Sequence, residues 1–190
     1  KTIMRVISGN LRGTKLYTLE GQNTRPTLDR VKESLFNIIN FEIKDSIFLD
    51  LFAGSGAIGI EAASRGASKV IMCEKSKEAA NIINKNLEKT KLINQVKLYN
   101  MDFKDMIKNK LEEKLDIIYL DPPYKTNYAY EASKLILEKN LLKKDSILII
   151  ETDEEQNVEN LFQNLSLEEF DKRKYGRAYL IFYKIKEERG

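Results

Sequence analysis

The tetrapeptide Asp121-Pro122-Pro123-Tyr124 has the residue types needed to alkylate a planar amine, and it directly follows the apolar run 115–120. Such an amine, on a nucleobase or an amide, delocalises its lone pair and is a weak nucleophile. Asp121 and the carbonyl of Pro122 would each accept one N–H hydrogen bond and draw the nitrogen towards tetrahedral geometry, while Tyr124 stacks on the ring. The prolines fix φ and hold the carbonyls in place. The alternative is an ordinary strand-ending turn, which Pro-Pro also marks.

A glycine loop after an earlier apolar run predicts a nucleotide-type cofactor. Residues 54–59 match the G-x-G-x-x-G fingerprint, between a strand-like run at 46–50 and a helix-like run. The fingerprint alone would also fit NAD. However, Asp50 ends the strand before Gly54, where a carboxylate would repel a pyrophosphate. Asp50, with the backbone of Gly54 and Gly56, suits the ammonium end of S-adenosylmethionine (SAM).

Further acidic residues follow predicted strands. Glu74 comes after the apolar run 69–73, Asp102 comes after 96–100, and Asp121 occupies the same position after its own strand. The carboxyl ends of strands in an open α/β sheet face the ligand crevice. Glu74 suits a ribose diol and Asp102 suits the adenine amine.

The apolar pattern from residue 46 onward alternates strand-like and helix-like segments, which predicts a parallel sheet with helices on both faces. Strands are expected at 46–50, 69–73, 96–100, 115–120 and 146–151, with an antiparallel pair at 166–174 and 177–183, and helices at 57–65, 76–90, 103–111, 128–139 and 154–163.

The residues before this pattern predict a separate small unit. A β-hairpin is expected over 4–19, with its turn near 10–13. A helix over 28–40, capped by Thr27, should follow and dock on the rest of the chain. We therefore expect an extension at 1–44 and one compact domain at 45–190.

Composition narrows the function. The chain has 190 residues, with 42% apolar and 32% charged residues, which is typical of one globular domain. Apolar runs far shorter than a membrane span and the lack of a secretory signal predict a cytoplasmic enzyme. The lack of histidine argues against a metal site and against Ser-His-Asp hydrolysis. Cys73, the one cysteine, is expected to be a buried apolar residue.

Charge is unevenly distributed. The net charge is +3, but residues 1–44 hold eight Lys and Arg against four acids, a net +4, so the remainder carries −1. A basic segment beside a near-neutral domain predicts an RNA contact, although a solvated charged face has the same composition. The candidate phosphate contacts are Arg5, Arg12, Lys15, Arg25, Arg30 and Lys32. Arg25 has a second interpretation, in which it faces the carboxylate of SAM.

Taken together, these motifs resemble a class I SAM-dependent methyltransferase, and more narrowly the RsmD family of bacterial 16S rRNA guanine-N2 methyltransferases. The resemblance covers nearly the whole chain, and the block 24–33, containing R-P-T-x-D-R-V-K-E, is its most specific part. The other matching blocks are Arg5-Val6-Ile7-Ser8-Gly9, Arg12-Gly13, Asp50-Leu51-Phe52-Ala53-Gly54-Ser55-Gly56, Glu61-Ala62-Ala63-Ser64-Arg65-Gly66-Ala67 and the D-P-P-Y motif.

The resemblance implies a Rossmann-like class I fold with a mostly parallel seven-stranded sheet and an antiparallel C-terminal hairpin. It implies methyl transfer from SAM to the exocyclic N2 amine of a guanine in 16S rRNA, with the base flipped into the site and S-adenosylhomocysteine as product. The implied partner is a 30S subunit or an assembly intermediate, met by a monomer without membrane contact. The implied cofactor-binding residues are Asp50, Phe52, Gly54, Gly56, Glu74, Asp102, Phe103 and Asp121.

Other functions fit parts of the pattern. DNA adenine-N6 or cytosine-N4 methylation uses the same chemistry, but such enzymes usually carry a target-recognition domain. Protein-glutamine methyltransferases typically have Asn where this chain has Asp121. An NAD-dependent oxidoreductase would leave the D-P-P-Y motif unexplained, and a non-catalytic RNA-binding module would leave the glycine loop unexplained.

Overall fold

The structure is a computed structural model, which describes residues 4–19 and 26–188, with the backbone alone for 26–28. Its strands are β1 (Ile47–Asp50), β2 (Lys69–Cys73), β3 (Val96–Tyr99), β4 (Leu115–Leu120), β5 (Leu142–Thr152), β6 (Leu167–Tyr175) and β7 (Ala178–Ile185). Its helices are α1 (Pro26–Ile38), α2 (Ala57–Ser64), α3 (Lys77–Thr90), α4 (Phe103–Lys110), α5 (Tyr128–Glu138) and α6 (Glu155–Phe162).

The seven strands form one sheet in the order β3-β2-β1-β4-β5-β7-β6. Strands β1 to β5 are parallel, because a helix lies between each of them and the next along the chain. Strand β7 runs antiparallel to both β5 and β6. The predicted Rossmann-like fold class is confirmed. The strand order reverses between β1 and β4, so a ligand crevice is expected at their carboxyl ends.

Two apolar clusters cover the two faces of the sheet. Phe48 faces the cluster that includes residues of α1, α2 and α3, while its neighbour Leu49 faces the cluster that includes residues of α4, α5 and α6. Ile117 and Ile118 on β4 divide in the same way. Central strands that are buried on both sides must be apolar throughout, which explains their continuous apolar runs. Cys73 is also buried there, as expected, and burial raises its pKa to about 12.

The N-terminal segment, residues 4–19, is less regular than predicted. It makes one isolated antiparallel bridge, between Arg5 and Lys15, and no full strand ladder. Much of its hydrogen bonding goes instead to α2 and α3, where Glu61 accepts from the amides of Ile7 and Ser8. Gly9 has a φ of 86°, and a Cβ there would lie 1.9 Å from a backbone oxygen of α2, so only glycine permits this close approach.

Two element boundaries differ from the sequence prediction. Helix α1 begins at Pro26, so Thr27 is inside the helix and is not its cap; proline is well suited to a first helical position. Strand β5 begins at Leu142 and not at residue 146, because Leu142 pairs with Leu115 on β4 ahead of an irregularity in the register. At this irregularity, the hydroxyl of Ser146 donates a hydrogen bond to the carbonyl of Leu115 at 2.6 Å and so links the two strands. In the described residues, no helix is both long and apolar enough to cross a membrane.

Candidate active site

A cavity of about 490 Å³ opens at the carboxyl ends of the parallel strands. It lies where the strand order reverses, as the topology requires. The predicted site residues that line it are Lys32, Asp50, Phe52, Gly54, Glu74, Asp102, Phe103, Asp121, Pro122 and Pro123. Residues from five separate segments of the sequence therefore meet at one site.

Asp50 is the most unusual residue of this cavity. It is 1% exposed, and its Oδ2 accepts a hydrogen bond from the amide of Gly59 at 3.2 Å. Its Oδ1 is buried and has no hydrogen-bond partner among the described residues. Burial raises the pKa of Asp50 to about 7, the Gly59 hydrogen bond opposes this shift, and the charge of Glu74 adds to it. A buried oxygen without a partner is costly, and here it lines a cavity that a cationic ligand group could occupy.

The glycine loop is held by Glu74. The carboxylate of Glu74 accepts from the amide of Gly54 at 2.9 Å and from the amide of Ser76 at 2.8 Å. Each carboxylate oxygen keeps a second lone pair, so Glu74 retains acceptor capacity for ligand hydroxyls. Gly54 has a φ of 59° and open space beyond its Cα, which lets a ligand approach the backbone. Gly56 does not line the cavity; it is buried against Ile83 and positions the start of α2.

Three aromatic rings form another part of the wall of this cavity. The rings of Phe52 and Tyr128 are stacked, with centroids 6.3 Å apart, and Phe103 packs against both. Asp102 caps α4 by accepting from the amide of Lys104 at 2.9 Å. This wall could hold a flat ring such as adenine, with Asp102 at its edge. Sequence reasoning missed Tyr128, although an aromatic residue shortly after the D-P-P-Y motif is a usable signal.

A second cavity, of about 310 Å³, lies on the other side of the D-P-P-Y loop. Asp121, Pro122 and Pro123 line both cavities, whereas Tyr124 lines only the second and is 66% exposed. The hydroxyl of Thr126 donates to the carbonyl of Pro123 at 2.8 Å and tightens the turn. The loop is therefore a partition between the two cavities, with an aromatic ring at the outer rim.

Asp121 is exposed to the two cavities that it lines. Its carboxyl group nevertheless lies among enough protein atoms to be partly desolvated. Burial raises the pKa of Asp121 well above its ordinary value, and the nearby carboxylate of Glu151 raises it further. The pKa of Glu151 is also raised, chiefly by burial. Two adjacent carboxylates repel each other, so this pair favours binding one proton as long as no ligand is present. The N–H donors of a bound base would favour the ionised forms instead.

Sequence reasoning also missed Glu151. It follows the apolar residues of β5, so the rule that found Asp50 and Glu74, an acid at the end of a strand, would have found it. Strand pairing places Leu120 opposite Ile150, and the next residues on the two strands are Asp121 and Glu151.

The six basic residues predicted to contact RNA fall into three groups: four are exposed, one is buried, and one lies outside the described residues. Arg5, Arg12, Lys15 and Arg30 are exposed, and none of them forms an ion pair with a described carboxylate. Arg25 lies outside the described residues.

The prediction that Lys32 contacts RNA phosphates is wrong. Lys32 is 4% exposed, its Nζ donates to the carbonyl of Arg5 at 2.9 Å, and it lies 3.5 Å from the carboxylate of Glu61. Burial lowers the pKa of Lys32, and Glu61 opposes that shift. Its ammonium group therefore interacts with groups of the protein itself, at the wall of the first cavity.

Comparison with known proteins identifies the family of this chain. The family described as conserved hypothetical protein 95 matches residues 4–184. The chain is 41% identical over 155 residues to ribosomal RNA small subunit methyltransferase D of Haemophilus influenzae, covering 80% of each chain. It is 36% identical to YlbH of Bacillus subtilis, covering 95% of this chain and 98% of that protein.

A solved structure shares the architecture. The yhhF protein of Escherichia coli superimposes with a TM-score of 0.81 at 26% identity, covering 98% of this chain and all of that one. The chain therefore belongs to the conserved hypothetical protein 95 family, the RsmD family of proteins named ribosomal RNA small subunit methyltransferase D.

Proposed function

We propose that this protein transfers a methyl group from SAM to the exocyclic N2 amine of a guanine in small-subunit (16S) rRNA. One observation carries the proposal: Asp121, Pro122 and Pro123 form the partition between two cavities. A methyl donor on one side and a flipped base on the other would meet at this partition. An amine at that point would have the Asp121 carboxylate and the Pro122 carbonyl as acceptors.

The first cavity fits SAM by its chemistry. The unpartnered Oδ1 of Asp50 would accept from the ammonium group, and Glu74 would accept from the ribose hydroxyls. Phe52, Phe103 and Tyr128 would enclose the adenine ring. When bound, SAM supplies a methyl group on a positively charged sulfur, and its transfer to an amine nitrogen leaves S-adenosylhomocysteine and one proton.

The chain's own residues prepare the amine. Asp121 and the Pro122 carbonyl would each accept one N–H bond, so the nitrogen lone pair points away from both acceptors and towards the first cavity. Such positioning contributes mainly in the transition state and therefore to kcat. The proton released from the methylated nitrogen can pass to the Asp121 carboxylate, because burial and the nearby Glu151 carboxylate raise the pKa of Asp121. Tyr124, exposed at the rim of the second cavity, would stack on the flipped base.

The choice of rRNA rests on the family and on charge. Relatives carry names of small-subunit rRNA methyltransferases. Arg5, Arg12, Lys15 and Arg30 are exposed and would contact rRNA phosphates, which position a substrate without reading its sequence. A 30S subunit or an assembly intermediate, in the cytoplasm, is the proposed substrate. Arg25 is proposed for the same surface.

The test is methyl transfer from isotopically labelled SAM to naked 16S rRNA and to 30S subunits, both from a strain that lacks this gene. We expect N2-methylguanosine at one position, identified by mass spectrometry of nuclease fragments. Asp121→Ala protein is the control for contaminating activity. A labelled N6-methyladenosine or N4-methylcytidine product would instead support the alternative amino methyltransferases. SAM binding without transfer to any rRNA would overturn the proposal.

A further inference from the structure

Glu151 is placed so that a second carboxylate can reach a base held by Asp121. Leu120 on β4 pairs with Ile150 on β5, and Asp121 and Glu151 follow these two residues. Neighbouring parallel strands lie about 4.8 Å apart, and directly paired residues point to the same face. Both residues line both cavities. The two carboxylates therefore stand side by side at the partition.

Glu151 has few interactions that would stabilise its charge within the protein. No described lysine or arginine forms an ion pair with it. Burial raises the pKa of Glu151, and the neighbouring Asp121 carboxyl and Tyr119 hydroxyl oppose that shift. A half-buried carboxylate without a cationic partner is expensive, which suggests that a ligand completes its interactions. The first cavity also contains the buried Oδ1 of Asp50, which has no hydrogen-bond partner among the described residues, on the side assigned to the cofactor.

We propose that Glu151 accepts the ring N1–H of the target base and so selects guanine over adenine and cytosine. This inference rests on the proposed function and adds the residue that reads the base. Guanine presents two kinds of donor side by side, N1–H and the N2 amine. Asp121 and the Pro122 carbonyl would take the two amine hydrogens, and Glu151 would take N1–H.

The other bases that carry an exocyclic amine are rejected by the same geometry. Beside its amine, adenine has an unprotonated N1 and cytosine has an unprotonated N3, and each is an acceptor. An acceptor placed against the Glu151 carboxylate would be repelled and would leave that carboxylate without a donor. Sites built for a hydrogen bond discriminate strongly against an analogue that lacks it, because their polar groups remain unpaired.

The experiment uses 2-aminopurine, which keeps the amine of guanine but has an unprotonated N1. The substrate carries guanosine or 2-aminopurine riboside at the mapped position, as an RNA fragment or a reconstituted subunit, whichever the wild type methylates. We expect the wild type to prefer guanine by about 10- to 100-fold in kcat/KM, the range for a hydrogen bond to a charged group. Glu151→Gln should reduce this preference by about tenfold, because its amide can donate to the unprotonated N1.

Glu138→Gln is the matched control, since Glu138 is exposed on α5 and lines neither cavity. It should keep the wild-type preference, and thermal melting should show both variants folded. An unchanged preference in folded Glu151→Gln would overturn the inference. Equal rates of the wild type on both bases would also overturn it, without need of any variant. A wild type that methylates no guanine would instead refute the proposed function itself.

Discussion

Glu61 and Asp50 are both fully buried carboxylates, but the protein satisfies only the first of them. The carboxylate of Glu61 accepts from the amides of Ile7 and Ser8 and from Nε of Arg65, at 2.8, 3.0 and 2.9 Å. The ammonium group of Lys32 lies 3.5 Å away. Asp50 has one partner, the amide of Gly59, and one oxygen with none.

The difference separates architecture from function. Glu61 joins α2 to the N-terminal segment and to α1, so it fixes the part of the chain that presents Arg5, Arg12 and Lys15 to solvent. Asp50 is left short of a donor at the wall of the larger cavity. A carboxylate whose bonds are complete holds the fold together, whereas an incomplete one identifies a place for a ligand.

Glu61→Ala is expected to have the largest effect, on stability. It leaves the buried ammonium group of Lys32 without its ion-pair partner and the amides of Ile7 and Ser8 without acceptors. Breaking a buried pair in this way costs about 3–5 kcal/mol in the free energy of unfolding, measured by urea denaturation.

Asp50→Asn is the contrasting variant in the same measurement. The folded-state pKa of Asp50 is raised to about 7, above its ordinary value of 3.8. Asp50 therefore costs stability progressively as the pH rises from about 4 to about 7, and the loss is complete above that range, where Asp50→Asn should match or exceed the wild type. Equal losses in Glu61→Ala and Asp50→Asn would show that the distinction between the two carboxylates is false.

Asp121→Ala tests the catalytic side of the comparison. The variant loses the acceptor that we propose orients the amine, so kcat should fall by about 10²-fold or more on the scale of positioning effects. The dissociation constant for SAM, measured by calorimetry, should change little. Asp121→Asn keeps one acceptor oxygen and should lose less activity. A normal kcat in Asp121→Ala would refute the assignment of this residue.

The affinity for SAM should depend on pH through Asp50. Its ionised form attracts the ammonium group of SAM, and with a pKa of about 7 this form disappears as the pH falls below 7. The dissociation constant should therefore rise as the pH decreases, by up to about tenfold per pH unit. Calorimetry from pH 8 down to pH 5.5 measures this, and Asp50→Asn should give a flat profile. A wild-type profile that stays flat would place the ammonium group elsewhere.

The smallest expected effect concerns the segment that Glu61 holds. Replacing Arg5, Arg12 and Lys15 by alanine should weaken RNA binding and flatten its dependence on salt, because each phosphate contact contributes about 0.7–0.9 to the logarithmic slope. Binding to 30S subunits over a salt series measures this, and SAM affinity should not change.

The matched control for this variant replaces three exposed lysines on α4 and α5, namely Lys108, Lys110 and Lys134. Identical slopes in the two triple variants would mean that the N-terminal charges are only solvated. The C-terminal hairpin would then be the next surface to test, although Lys172 and Arg173 there already pair with acidic residues.

Much of the fold could be predicted because local patterns decide it. The runs 69–73 and 115–120 are strands with the predicted bounds, since apolar residues continue for as long as both faces are covered. The boundary of β5 could not be predicted, because Leu142 joins the sheet only through its partner Leu115 on β4. The N-terminal hairpin was predicted as more regular than it is, because its amides bond to Glu61, which is distant in the sequence.

The sequence by itself determined the alternation of strands and helices, the acids at the strand ends and the D-P-P-Y motif. These depend on neighbours along the chain and on a topology that gathers strand ends at one edge. Only the tertiary structure decided how each charge is used. Lys32 and Arg30 are two residues apart, yet one is buried against Glu61 and the other is exposed. Asp121 and Glu151 are thirty residues apart, yet strand pairing makes them neighbours. Burial and partners set the properties of an ionisable group, and both come from residues that the sequence places far away.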